Sequence, residues 1–178
     1  MNKGFTVVEI VVVLGIMVII TGIALFNAGS EKQDSALFRS AQNLSLNLRK
    51  VENNALSSRV FKDRVPCGWG VHFNWPDLTS YTIFADTAIN DCDGVDRDYK
   101  RDAGGSEDLV IVNFEAGIKI DGITNNVADI VFIPPAPSVV FTSSSGQEAI
   151  DAVQIILSNK KFSTREITIN AAGFISSP

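Results

Sequence analysis

The hydrophobic positions of this chain follow three successive patterns. Residues 5–26 form an almost unbroken apolar run of about 22 residues, which as a helix is long enough to cross a bilayer core of ~30 Å. In residues 27–58, apolar side chains recur at alternating steps of four and three, which predicts one face of an amphipathic helix. Residues 59–178 contain short apolar runs between turn residues, which is typical of β-strands. We therefore expect an α+β fold in which a long N-terminal helix packs on antiparallel β-sheets.

The amphipathic segment is predicted to restart the helix just after the apolar run. Residues 27–30 are expected to kink the chain, and Ser30 with Gln33 three residues later would form a capping box. The apolar face that follows is narrow, includes small residues and lasts under three heptads, so it favours packing on a sheet over a continuous coiled coil. Its members are Leu37, Ala41, Leu44, Leu48, Val51 and Ala55.

The β-rich region, residues 59–178, is predicted to form antiparallel sheets, with a small sandwich as one arrangement. The proline-rich segment 134–137 cannot be a central strand. The two last long strands are expected to form a hairpin around residues 158–163. The predicted strands are 68–75, 81–85, 109–114, 117–120, 129–133, 139–142, 153–157 and 166–170, with a short final run at 174–175.

Charge narrows the possible partners. The 178 residues carry a formal net charge of −5, which argues against a general nucleic-acid-binding surface, since such surfaces are usually basic. Two local basic clusters could still contact phosphates, so DNA is a lesser candidate partner and solvated loop charges are the alternative. The clusters are Arg59, Lys62 and Arg64, and Lys160, Lys161 and Arg165.

No residue pattern in the chain predicts an enzyme. His72 is the lone histidine, and it stands on a predicted strand without a serine, cysteine or acid pattern that would predict a catalytic triad. No phosphate loop or paired-acid motif is found either. We expect a non-enzymatic protein without a cofactor, calcium being the single candidate.

A carboxylate interrupts the apolar run at Glu9, five residues after Gly4. A glutamate at the centre of a bilayer costs roughly 2.5–3.5 kcal/mol on insertion scales, so it is expected to meet a partner of opposite charge. The alternative is an ordinary signal anchor with an isolated glutamate.

The first ten residues, Met-Asn-Lys-Gly-Phe-Thr-Val-Val-Glu-Ile, resemble the leader and mature start of type IV prepilins and pseudopilins. The resemblance implies that residues 1–4 are a leader peptide, that a prepilin peptidase cuts after Gly4, and that Phe5 is the new, N-methylated terminus. It also implies that Glu9 is an assembly carboxylate, paired with the Phe5 amine of a neighbouring subunit.

Downstream segments are similar to GspH/FimT-type pseudopilins, which fold as a long helix against β-sheets. They are Gly-Trp-Gly-Val-His-Phe at 68–73, Tyr-Thr-Ile-Phe-Ala-Asp at 81–86, Arg-Glu-Ile-Thr-Ile-Asn at 165–170 and Gly-Phe-Ile at 173–175. The resemblance implies a minor subunit of a type IV pilus or a type II secretion pseudopilus. Its partners would be other pilin or pseudopilin subunits, the prepilin peptidase, an assembly ATPase and the platform membrane protein. A DNA-uptake pilin and a non-polymerising, membrane-anchored binding domain are the alternatives.

The charge distribution at the N-terminus predicts the orientation in the membrane. Lys3 is the one charged side chain before the apolar run, and positive flanks stay cytoplasmic. A cleaved secretory signal would have a shorter apolar core. We therefore expect a single-pass protein of the inner, cytoplasmic membrane, in contact with lipid, whose domain from residue 27 onward is periplasmic or extracellular before it enters a filament.

The chain contains two cysteines, Cys67 and Cys92, both in this outward region. An oxidising compartment would allow a disulfide between them. The bridge would close a loop of about 25 residues and stabilise the domain by roughly 3 kcal/mol in the chain-entropy model. Two reduced thiols are the alternative.

An acidic loop around Gly94 is the candidate calcium site. Ca²⁺ takes 6–8 oxygen ligands, and carboxylates recur on either side of this glycine. The spacing fits an EF-hand poorly, and a solvated hairpin tip rich in aspartate is the alternative. The candidate ligands are Asp91, Asp93, Asp96 and Asp98.

Overall fold

The computed structural model describes residues 4, 6–87, 92, 98–102, 104, 106–135 and 138–177, without the side chains of residues 24–30. One long helix, α1 (Val7–Leu56), precedes a β-rich domain, and a 3₁₀ turn (Thr124–Asn126) follows β4. The strands are β1 (Gly68–Phe73), β2 (Ser80–Asp86), β3 (Asp108–Asn113), β4 (Ile118–Ile123), β5 (Asp129–Ile133), β6 (Ser138–Ser143), β7 (Gly146–Glu148), β8 (Ala152–Asn159), β9 (Thr164–Asn170) and β10 (Ile175–Ser176). The expected α+β class with antiparallel sheets is confirmed.

Helix α1 is capped by Thr6 at its N-terminus and by Ser57 at its C-terminus. Its backbone continues through residues 27–30, so the predicted restart at Ser30 is wrong. None of these four residues is a proline, and one glycine in a helix costs only about 1 kcal/mol, so the flanking turns carry the helix through. The capping box that was expected at Ser30 is found instead at the start of α1, between Thr6 and Glu9.

The strands form two antiparallel sheets. The six-stranded sheet has the order β3-β2-β1-β5-β6-β7, and the four-stranded sheet has the order β10-β9-β8-β4. Each predicted strand corresponds to an observed one, whereas β7 was missed because Gly146, Gln147 and Glu148 show no alternation of apolar and polar residues. The β8–β9 hairpin pairs Ala152 with Asn170 and Ser158 with Thr164, as a terminal hairpin should.

The second part of α1 lies against strands of both sheets. All six residues of the predicted apolar face have 1% or less of their surface exposed. They pack in one core with Trp69 and Phe73 of β1, Ile155 of β8 and Ile167 of β9. The amphipathic pattern therefore correctly identified the helix face that holds the domain together. We call residues 36–56 the packed half of α1.

The first part of α1 makes no such core. No helical stretch within the described residues is both long and apolar enough to cross a membrane. The predicted span of residues 5–26 includes Phe5 and the side chains of residues 24–26, which lie outside the described residues.

Candidate functional site

The start of α1 is a reciprocal capping box. The Thr6 hydroxyl accepts the Glu9 backbone N–H at 3.3 Å, while Glu9 Oε2 accepts the Thr6 backbone N–H at 3.4 Å and the Thr6 hydroxyl at 3.3 Å. The box satisfies backbone donors that the first turn of a helix leaves unpaired. All three distances exceed the usual 2.7–3.2 Å, so the carboxylate of Glu9 is loosely held. Glu9 is also exposed to solvent.

Gly4 is exposed, and a Cβ added there would meet no atom within 4 Å. Phe5, the predicted new terminus, lies outside the described residues. Of the three residues predicted for cleavage, methylation and assembly, the structure thus describes Gly4 and Glu9. Gly4 precedes the Thr6 cap and is not helical.

Residues 7–23, which we call the apolar stem, expose their side chains all round the helix. Exposure reaches 78% at Val7 and is still 62% at Ile23. Added Cβ atoms at Gly15 and Gly22 would meet nothing within 4 Å, so neither glycine accommodates a neighbour from the rest of the described chain. Continuous apolar surface of this extent is typical of a site that binds lipid or another apolar partner.

Polar contacts hold α1 on the β-rich domain at residues 34–40, which follow the stem along the helix. Arg39 donates to both carboxylate oxygens of Glu115 at 2.7 Å, and the Glu115 backbone N–H donates to the Ser40 hydroxyl at 3.3 Å. The hydrogen bonds from Arg39 lower the pKa of Glu115, and the same bonds raise the pKa of Arg39. Beside this pair, Asn159 Nδ2 donates to Asp34 at 2.9 Å. The stem therefore projects from a helix that is held on two sides.

Cys67 and Cys92 form a disulfide bond with a Cα–Cα distance of 5.1 Å. Cys67 is buried directly before β1, and its backbone N–H donates to the carbonyl of Asp86 at the end of β2. The bridge therefore ties the loop after β2 to the start of the neighbouring strand.

Three of the four candidate calcium ligands, Asp91, Asp93 and Asp96, lie outside the described residues. The fourth, Asp98, is exposed and accepts the Lys100 backbone N–H at 3.1 Å. The described residues contain no group of three or more histidine, cysteine or acidic side chains that could hold a metal ion. Calcium binding stays a prediction.

Several members of the two basic clusters contact the protein itself. Arg59 donates to the Asn54 side chain at 3.2 Å, and Lys62 donates to the Ser106 carbonyl. The Arg165 guanidinium lies 5.8 Å from the centre of the Phe38 ring. Lys160 and Lys161 are exposed at a hairpin turn. These contacts do not test DNA binding, which stays a prediction.

A buried acidic network that the sequence did not reveal lies at the far side of the six-stranded sheet. His72 Nδ1 is 2.8 Å from Asp129 Oδ1, and Arg101 binds both oxygens of Asp108 at 2.5 and 2.6 Å. The buried Glu107 carboxylate accepts the backbone N–H groups of Thr87 and Asp102. His72 and Asp129 are 57 residues apart, so no local spacing could have indicated that pair.

Arg101 holds the segment 98–102 to Asp129 of β5 and to Asp108 of β3. The hydrogen bond from Arg101 lowers the pKa of Asp108, while the pKa of Arg101 is raised by the same bond. A groove of about 540 Å³ beside it is lined by His72, Trp75 and Arg101 among others. The described contacts of this network pair opposite charges.

No protein-family model, curated protein or solved structure matches this chain.

Proposed function

We propose that this chain is a minor pilin-like subunit, anchored by the apolar stem in the inner membrane and then assembled into a type IV pilus or a type II secretion pseudopilus. The observation that carries the proposal is one continuous helix whose two parts differ in the burial of their apolar side chains. Its packed half is buried in its own domain, and its stem, which begins at the Thr6–Glu9 box, is exposed throughout. Exposed apolar surface of this size needs an apolar environment from outside the chain.

Two environments suit the stem in succession. Lipid tails would cover it while the subunit waits in the membrane, because an apolar helix satisfies its own backbone polar groups there. Like helices would cover it in a filament, where small residues such as Gly15 and Gly22 allow close approach. Both glycines are unobstructed by the rest of the described chain, which supports this use of them.

Glu9 would select the correct register when a subunit moves from lipid into the filament. Its present partner is Thr6, at distances of 3.3–3.4 Å that are long for a hydrogen bond. An amine supplied by the Phe5 terminus of a second subunit would bring a full positive charge to the carboxylate, which the Thr6 N–H and hydroxyl do not. A subunit in the wrong register would leave the carboxylate unpaired in apolar surroundings, at a cost of roughly 2.5–3.5 kcal/mol.

This function requires processing after Gly4 by a prepilin peptidase, with Phe5 methylated as the new terminus. An assembly ATPase and a platform membrane protein would then extract the subunit. The globular domain would lie in the periplasm or outside the cell and would contribute packing, initiation or adaptation at the filament. No enzymatic activity is part of the proposal.

Intact mass of the membrane-extracted protein tests the processing. In cells with active prepilin peptidase, the mass should correspond to the loss of residues 1–4 and the gain of one methyl group. A Gly4→Leu variant, which removes the small residue at the cut, should keep its full mass. Recovery of the wild-type chain with Met1 still in place, in those same cells, would refute the proposal.

The amount of subunit in sheared filaments tests the role of Glu9. Glu9→Ala and Glu9→Gln should each lower incorporation about tenfold or more, because neither side chain pairs with an amine as an anion. Glu31→Gln, at an exposed glutamate of the same helix, is the matched control and should assemble normally. Normal assembly of both Glu9 variants would favour a signal-anchored domain that never polymerises.

A further inference from the structure

The turn between β8 and β9 presents an aromatic ring and two lysines to solvent. Lys160 and Lys161 are exposed, and Phe162 has 92% of its surface exposed, the largest value among the exposed large apolar residues of the described chain. Phe162 also has a φ of 63°, in the left-handed region that non-glycine residues seldom adopt. We call residues 160–162 the hairpin tip.

The hairpin tip is held in one shape by the buried side chain of Asn159. Asn159 Oδ1 accepts the backbone N–H groups of Lys161 at 2.9 Å and Ser163 at 3.1 Å, and the Asn159 carbonyl accepts that of Phe162 at 3.1 Å. The Asn159 amide donates to Asp34 on α1. A strained residue that is fixed this firmly, with its ring outside the core, suggests that the ring serves a contact.

Contacts along α1 show that the hairpin tip points toward the stem. At the far end of the hairpin, Arg49 donates to the carbonyl of Ile175, which pairs with β9. Arg165, at the start of β9, lies over Phe38, and Asn159 binds Asp34. Along α1, the turn therefore lies at the level of Asp34 or further toward the apolar stem.

Distances along the helix place this level close to a membrane surface. Asp34 is eight residues past Phe26, the last residue of the predicted apolar run, or about 12 Å at 1.5 Å per residue. The headgroup layer extends about 5–8 Å beyond the hydrocarbon core on each side. The remaining few ångströms are within reach of the long side chains of Lys160 and Lys161.

We propose that the hairpin tip docks on an anionic lipid headgroup surface while the subunit is anchored. Lys160 and Lys161 contact lipid phosphates, and the Phe162 ring enters the interface. Because this inference rests on the proposed function, it applies to the membrane-inserted chain. The position of the turn beside the headgroup layer favours lipid over a second copy of the chain, and the two lysines suit lipid phosphates. Each lysine near an anionic surface strengthens docking about fivefold, and exposed Lys32 on α1 adds to them, whereas exposed Glu31 opposes them.

Tryptophan quenching by brominated lipids tests the docking in the full chain reconstituted in vesicles. Phe162→Trp reports on the hairpin tip. Phe174→Trp is the matched control, because Phe174 is also exposed on a turn but lies beside Arg49 and Glu52 at the other end of the domain. The signal of the wild-type chain, which contains Trp69 and Trp75, is subtracted.

In phosphatidylglycerol vesicles the tryptophan at position 162 should be quenched more strongly than the one at 174. The difference should shrink in phosphatidylcholine vesicles and at high salt, because the attraction is screened. Replacing both lysines by glutamine in the Phe162→Trp chain should weaken docking about 25-fold.

Equal quenching at positions 162 and 174 in chains that float with the vesicles would overturn the inference and leave the proposed function standing. So would quenching at 162 that ignores both phosphatidylglycerol and the lysines. Protection of position 162 from aqueous iodide only at high protein-to-lipid ratio, without quenching by lipid, would assign the hairpin tip to a second copy instead. Chains that do not float with vesicles would overturn the proposed function and this inference together.

Discussion

The two parts of α1 contain similar apolar residues but differ in how far these residues are buried. In the packed half, Leu44, Leu48 and Val51 have no exposed surface, whereas in the stem Leu14 and Val18 are 56% and 73% exposed. Both parts are helical and rich in leucine, valine or isoleucine. They differ in the positions between the apolar residues, which are mostly polar in the packed half and almost all apolar in the stem.

This difference shows that periodicity decides where an apolar helix can be buried. A helix with one apolar face buries that face in its own domain and keeps its polar faces in water. A helix that is apolar all round has no face for water, so one small domain cannot cover it. The packed half therefore stabilises the fold, whereas the stem keeps its apolar side chains exposed.

The largest expected effect comes from the same substitution in the two halves. Leu48→Ala should lower the free energy of unfolding by about 2–5 kcal/mol, because it leaves a cavity in the core. Leu14→Ala in the stem should change it by less than about 0.5 kcal/mol. Urea unfolding of the detergent-solubilised chain, followed by Trp69 fluorescence, measures both.

Leu46→Ala separates the effect of burial from the effect of position. Leu46 lies in the packed half but is exposed, so its substitution should resemble Leu14→Ala. If Leu14→Ala destabilised the domain as much as Leu48→Ala, the division of α1 into two functions would be wrong.

The next effect concerns the domain that the packed half supports. Replacing Cys67 and Cys92 together by serine should lower the free energy of unfolding by about 3 kcal/mol, since the bridge closes a loop of 25 residues. The stem should keep its helical circular dichroism in micelles while the domain unfolds at lower urea. An unchanged unfolding midpoint would show that the bridge contributes nothing to the domain.

The sequence predicted those features that depend on short-range pattern. The steps of four and three identified six residues of the buried helix face but left out Ala36, which packs in the same core. Alternation located eight of the strands with small errors at their ends. Residues 27–30 were misjudged because glycine and asparagine are common at breaks, while two long helical segments on either side outweighed that local preference. β7 was missed because its pairing with β6, rather than its composition, makes it a strand.

In the candidate site too, residues that a local pattern marks could be predicted, whereas long-range partners could not. Glu9 could be singled out because a carboxylate in an apolar run is visible in any sequence, and Gly4 because of the resemblance to a prepilin leader. Their roles stay predictions. The partners of Glu115 and Asn159 were not foreseen, because each pair is created when distant segments meet in the folded chain. The left-handed conformation of Phe162 had no signal either, since glycine or asparagine is the residue expected at such a position.

A smaller effect is expected from the buried carboxylate of Glu107, a kind of group that the stem does not contain. Glu107→Gln keeps the shape but loses the charge that accepts the Thr87 and Asp102 N–H groups at 2.6 and 2.9 Å. The free energy of unfolding should fall by about 1–3 kcal/mol, and the amides of Thr87 and Asp102 should exchange hydrogen faster. Exchange in the packed half of α1 is the internal control. Unchanged exchange at both amides would remove Glu107 from the account of domain stability.

The smallest effect is a difference in response to acid. Arg101 lowers the pKa of Asp108 in the folded domain below its ordinary value of 3.8, chiefly through their hydrogen bonds. A group whose folded pKa is lowered stabilises the fold above its unfolded pKa and loses that contribution as the pH falls through the folded pKa. Asp108→Asn should therefore lower the free energy of unfolding by about 1 kcal/mol at neutral pH.

The difference between wild type and Asp108→Asn should shrink below about pH 4, where the unfolded carboxyl begins to take up protons, and should vanish once the folded one is protonated. Asp121→Asn is the matched control, because Asp121 is largely exposed and lies 3.7 Å from Lys119. Its effect should be small and constant with pH, as surface pairs contribute little. If Glu9→Gln in the stem reproduced the acid response of Asp108→Asn, the stem would be contributing to the stability of the domain, and the contrast between the two halves of α1 would fail.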